Sequence, residues 1–202
     1  MVPGTKLYSD VHRLNTLILS DSMIGNISTK LISEDIDGNY EKVIVKKYPG
    51  QTAQEIFSYS DYQFSTCKPD QVIIIAGSND VSNGHRTRSL DEVEVATNII
   101  NIGRRAVKHG AKRIVISGLV IRKWNSNINQ VIGSINRLVQ DMCKEEGFYF
   151  IDQTDIERQH LWKDGLHLNQ NGSYIFRMNI MKFFNTFNPY LCSFGDHYEN
   201  AL

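Results

Sequence analysis

The chain has 202 residues, 41% apolar and 22% charged, and its 22 basic side chains balance 22 acidic ones. That length and composition describe one ordinary globular domain, able to bury about 70% of its unfolded surface without a disulfide or metal staple. Zero formal net charge excludes a binder steered to nucleic acid by bulk charge.

The longest unbroken apolar run, Val72 to Gly77, is far shorter than the roughly 20 residues a bilayer core demands. The first residues carry charges with no apolar stretch before them, so no secretion signal is read. Cys67, Cys143 and Cys192 are widely spaced and form no CxxC. Reduced thiols and a cytoplasmic setting are therefore the expectation.

Five β-branched runs read as strands: Thr16 to Ser20, Lys42 to Lys46, Gln71 to Ala76, Arg113 to Ser117 and Phe148 to Ile151. The third and fourth are near-continuous Val/Ile runs, as strands covered on both faces should be. Between the later strands, Val93, Ala96, Ile99, Ile100, Gly103, Ala106 and Val107 trace one helical stripe, and Ile128 through Met142 trace another. Gly110 and Gly147 stand where C-caps belong. A last helix is expected from near Gly172, carrying Ile175, Phe176, Met181, Phe183 and Phe184 and stopped by Pro189.

Alternating strands and helices predict a parallel sheet with helices on both sides. No repeat or low-complexity linker interrupts the pattern. One domain over 14–188 is expected, with 1–13 and 189–202 peripheral. Ligands of such sheets sit beyond the carboxyl ends of the strands, and four short signals fall there in chain order. They are Ser20-Asp21-Ser22, Pro49-Gly50-Gln51-Thr52, Gly77-Ser78-Asn79-Asp80 and Asp164-Gly165-Leu166-His167.

Each signal is bland alone. Ser22 also makes a good helix N-cap, Gly50 a turn residue, and Asn79 a cap. The D-x-x-H spacing sets a carboxylate beside an imidazole. Together they would bring Ser22, Gly50, Asn79, Asp164 and His167 to one rim.

The set SDS, PGQT, GSND and DGLH resembles the ordered blocks of the SGNH, or GDSL-type, hydrolase superfamily, from Leu17 to about Phe184. The resemblance implies a flavodoxin-like three-layer α/β/α sandwich with a five-stranded parallel sheet. It also implies Ser22 as nucleophile, His167 as base and Asp164 as its partner. The oxyanion hole would be the N–H groups of Ser22 and Gly50 with the Asn79 amide. The family usually places Gly two residues before the nucleophile; Ser20 stands there here and is expected to strain the turn or slow the enzyme, without removing any catalytic atom.

A narrower likeness runs through KPDQVIIIAGSNDV, RIVISGLVIR, INRLVQDMCKEEGFYFID and HLWKDGLHLNQNG. These stretches resemble the esterase domain of first-reading-frame proteins of LINE-type retrotransposons. RNA binding and self-association would then belong to other segments of a longer parent protein.

The chemistry implied is hydrolysis of small acyl esters, such as acetyl esters, through an acyl-enzyme. No cofactor is implied: there is no H-x-x-x-H or repeated cysteine set for a metal and no phosphate-cradling loop. Arg122 and Trp124, beyond the fourth strand, are candidate substrate-binding residues. With Arg86, Arg88, Lys123 and Lys163, Arg122 reads either as one of the exposed cations common on any surface or as part of the rim of a pocket for an anionic ester such as a lipid headgroup or a nucleic-acid backbone. The rival reading is a silent sandwich that binds lipid, RNA or a protein. A nucleotide binder is disfavoured because the first turn lacks a glycine-rich cradle.

Overall fold

The computed structural model describes residues 14–25, 41–87 and 90–187. Five strands form one parallel sheet: β1 (Leu14–Ser20), β2 (Glu41–Lys47), β3 (Gln71–Ile75), β4 (Arg113–Ser117) and β5 (Tyr149–Ile151), in the order β2-β1-β3-β4-β5. The helices are α1 (Ala53–Cys67), α2 (Ser78–Thr87), α3 (Glu92–Lys108), α4 (Ser126–Glu146) and α5 (Gln170–Phe187). This is the expected three-layer sandwich.

Alternation along the strands divides the core in two. Leu17, Leu19, Val72, Ile74, Ile114 and Ile116 face Ile56 and Phe64 of α1, Ile99 and Ile100 of α3, and Ile132 and Ile135 of α4. Ile18, Ile73, Ile75, Val115 and Ile151 face the opposite way, onto Phe176, Ile180 and Met181 of α5. Because β3 is buried along its whole length, both its faces must be apolar, which explains its unbroken run of isoleucines. Each such side chain contributes about 2 kcal/mol by leaving water.

Two helices were not expected from the apolar pattern. The stretch carrying Ser58, Ser60, Asp61, Ser65 and Thr66 is polar for a core helix. Its start is nonetheless fixed by a capping box, in which Thr52 Oγ1 accepts from Glu55 N–H while the Glu55 carboxylate accepts from Thr52 N–H. Helix α2 begins at Ser78, so Asn79 lies in its first turn. In α3 the buried stripe is centred on Val95, Ile99, Ile102 and Ala106. Val93 and Val107, at its margins, are about half exposed. Gly147 caps α4 in the left-handed conformation. Phe184 as a side chain, Pro189 and Cys192 lie outside what is described, as do Arg86 as a side chain and Arg88.

Register places the functional rim. Ser20 pairs with Lys47 on one side and Ile75 on the other. The turns leaving β1, β2 and β3 therefore start at one level, beside the point where strand order reverses.

Candidate active site

Ser22 opens a single turn of 3-10 helix, Ser22–Ile24, directly after β1. The cap of that turn is Asp21 and not Ser22: Asp21 Oδ1 accepts from Met23 N–H at 2.9 Å. The Ser22 hydroxyl is thereby released from capping, and among the described residues it makes no hydrogen bond. As first residue of the turn, Ser22 also has its N–H outside the turn's own bonding. Met23 and Ile24 are buried and fix the turn on the α5 face.

Ser20 does not strain this turn. It ends β1 fully buried, its Oγ donates to the Asp21 carbonyl at 3.0 Å, and Lys68 is the one described non-glycine residue with positive φ.

The turns after β2 and β3 are stitched together. Asn79 Nδ2 donates to the Gln51 carbonyl at 2.9 Å, and Asp80 Oδ2 accepts from Ala53 N–H at 2.8 Å. One Asn79 amide hydrogen remains uncommitted. Gly50 has φ +81, a conformation that disfavours any side chain. Its Cα faces open space, and its N–H has no partner among the described residues.

Asp164 and His167 sit at the tip of a hairpin closed by a bridge between Leu161 and Leu168. Both leucines are buried in the apolar cluster that also holds Met23 and Ile24, so one core carries the serine turn and the hairpin. Asp164 Oδ1 accepts from the N–H groups of Leu166 (2.9 Å) and His167 (3.0 Å), while Oδ2 lies 2.8 Å from His167 Nδ1. Desolvation pushes the Asp164 carboxyl up, but these donors and the imidazole outweigh it and hold it below the usual carboxylate range. The pair is about half exposed. No hydrogen bond joins the His167 ring to Ser22.

The loop after β4 braces this hairpin. Lys123 N–H donates to the Gly165 carbonyl at 3.0 Å, Trp124 Nε1 donates to the Lys163 carbonyl at 3.4 Å, and the indole lies on Gly165. A Cβ at Gly165, where φ is +73, would stand 2.5 Å from Trp124 Cδ1. Trp124 is 72% exposed and walls an open cavity of about 250 Å³ with Ser82, Arg122, Asn125, Ile128 and the Asp164–Leu166 turn. Trp162 is also exposed but does not line it.

Arg122 departs from the expected exposed cation. It is buried, and its guanidinium donates to the Ser78 carbonyl (2.9 Å), Ser78 Oγ (3.0 Å) and the Val120 carbonyl (3.3 Å). Its N–H donors are turned inward onto these groups, and little of the guanidinium is exposed to an anionic ester. Composition did not single out Asp21, whose Oδ2 accepts from Ser78 N–H at 3.2 Å; its place directly before Ser22 was the available signal. Burial pushes its carboxyl up to about 6, against the pull of the Met23 and Ser78 N–H groups and of Arg122. Among the described residues no group of three or more His, Cys, Asp or Glu could hold a metal, and no helix is long and apolar enough to cross a membrane.

This fold and rim define a three-layer α/β/α sandwich on a five-stranded parallel sheet, with its polar groups gathered beyond the strand ends. Residues 29–175 match the GDSL-like Lipase/Acylhydrolase family, and the chain belongs to it. The matched span holds Gly50, Asn79, Asp164 and His167 and begins after Ser22.

A GDSL-like lipase from Bacteroides thetaiotaomicron superimposes with a TM-score of 0.71 at 18% identity, over 85% of this chain and 88% of that one. An acetylxylan esterase from Geobacillus stearothermophilus gives 0.73 at 14% identity, over 85% and 94%. Its catalytic mutants replace one serine, one aspartate and one histidine, the last two being three positions apart. At these identities the likeness establishes the fold. No curated protein matches the sequence.

Proposed function

We propose that this chain is a serine esterase for small acyl esters of the acetyl type. The observation that carries the reading is the Asp164–His167 pair, at 2.8 Å, on the same rim as a serine whose hydroxyl is uncommitted. Membership of an acylhydrolase family supplies the reaction class. The same Asp/His spacing in the catalytic mutants of the acetylxylan esterase supports the assignment of roles.

Asp164, ionised, would hold His167 with its proton on Nδ1 and its Nε2 free as base. His167 takes the Ser22 proton as Oγ attacks the ester carbonyl. The N–H groups of Ser22, Gly50 and Asn79 meet the negative charge that develops on the carbonyl oxygen. The alcohol leaves with the proton from His167, and a water activated by the same ring clears the acyl group. The cavity walled by Trp124, Asn125 and Ile128 receives part of the ester.

Hydrolysis of p-nitrophenyl acetate by the purified chain tests this reading. Ser22→Ala and His167→Ala should each remove most of the activity while keeping the fold; equal rates in all three proteins would refute it. The missing hydrogen bond between Ser22 and His167 favours a second reading, a sandwich that binds a lipid, RNA or protein partner without turnover. Catalytic hydrogen bonds are often long before substrate arrives, so the esterase reading stands first. The link to LINE-type first-reading-frame proteins rests on the four sequence stretches alone, and with it RNA binding or self-association through a longer parent protein.

A further inference from the structure

No hydrogen bond among the described residues runs directly from the turn at 20–25 to the hairpin at 161–168. The polar connection between them passes through the loop after β4, and Arg122 is its centre. On one side, the guanidinium holds Ser78 through both its carbonyl and its hydroxyl. Ser78 N–H in turn holds Asp21, which caps the Ser22 turn through Met23 N–H. On the other side, Asn129 of α4 clips the Arg122 backbone like a neighbouring strand: Arg122 N–H donates to Asn129 Oδ1 at 2.6 Å and Asn129 Nδ2 donates to the Arg122 carbonyl at 2.8 Å. Asn136, one heptad further along α4, grips Leu119 in the same two-bond manner. The loop so fixed presents Lys123 N–H and the Trp124 indole to the hairpin.

We propose that Arg122 is a positioning residue that sets the separation between Ser22 and the Asp164–His167 pair, its side chain holding one half of the site and its clipped backbone the other. This rests on the esterase reading. It accounts for a cost that is otherwise unexplained, because a guanidinium is buried here with no direct carboxylate partner among the described residues, and desolvation pulls it below its ordinary value against the attraction of Asp21 and Asp164. It also explains why the loop needs two side-chain clips: misplacement by about 1 Å can cost on the order of 10²-fold in rate.

The charged groups facing Asp21 are Arg122, from the loop after β4, and Asp80, from α2. Removing Arg122 leaves Asp80 alone, so the Asp21 carboxyl rises further. Its two accepted N–H bonds, which are strongest to the ionised form, then weaken at a higher pH.

The test begins with the wild-type chain, Ser22→Ala and His167→Ala on p-nitrophenyl acetate; if these three do not differ, the esterase reading itself has failed, and the proposal with it. Given that dependence, Arg122→Met should lower kcat on the order of 10²-fold with KM within about twofold, and move the acid limb of kcat to higher pH. Arg122→Lys, which keeps the charge, should restore the limb and part of kcat. Asn129→Ala should lower kcat by roughly tenfold with the limb in place, and it carries the test should Arg122→Met fail to fold. Unchanged kcat in both Arg122→Lys and Asn129→Ala overturns the proposal. A rise in KM with kcat preserved also overturns it, because Arg122 would then be a substrate contact.

Discussion

Asp164 Oδ2 lies 2.8 Å from His167 Nδ1, and the other Asp164 oxygen accepts the N–H of His167 itself. One carboxylate thus fixes both the backbone and the ring of the candidate base. Asp164→Asn keeps the Oδ1 bonds and so the turn, but offers an N–H where Nδ1 needs an acceptor. The ring then turns its lone pair to the wrong nitrogen. The expected result is an unchanged melting temperature with kcat reduced on the order of 10³- to 10⁴-fold, read by steady-state hydrolysis beside thermal denaturation.

Asn79 bridges two loops through Gln51, so its removal should cost both anchoring and a donor. Asn79→Ala is expected to lower kcat by about 10²- to 10³-fold with a much smaller change in KM. A loss confined to KM would remove the amide from the proposed oxyanion hole.

Asp21 supplies a pH signature of stability. Its carboxyl titrates at about 6 when folded against an ordinary 3.8, so between these values the folded state binds more protons than the unfolded one. Stability from this group is therefore greatest below about 4, falls as pH rises through 6, and is level above. The full difference is about 2 to 3 kcal/mol at 1.36 kcal/mol per unit. Asp21→Asn removes the titration. Chemical denaturation from pH 4 to pH 7 should show the stability difference, variant minus wild type, rising with pH and then flattening; a difference that does not change with pH would contradict the burial.

How the site was readable follows from what each residue does. Ser22, Gly50 and Asn79 stand in short blocks just after strands marked by their apolar runs, so position along the chain suggested one rim for them, whereas Asp164 and His167 lie well beyond β5 on a hairpin and are marked by the D-x-x-H spacing alone. Arg122 carries no such mark. Its burial depends on Ser78, 44 residues earlier, and on Asn129 from the next helix, which are tertiary facts that periodicity does not encode. Helix α1 escaped an apolar reading because few of its residues are buried, although the Thr52–Glu55 capping box announced it. At Ser20 the position asks only for extended backbone, which any residue adopts, so the glycine usual there is not required by φ.

Ser22 is the proposed nucleophile, and covalent labelling reads this most directly. An activity-based fluorophosphonate, in which Oγ displaces fluoride from phosphorus as His167 takes the proton, should leave one adduct that peptide mass spectrometry places on Ser22. It should be absent from Ser22→Ala and strongly slowed in His167→Ala. Failure to label the folded wild-type chain, or an adduct on another residue that persists in Ser22→Ala, would contradict the account.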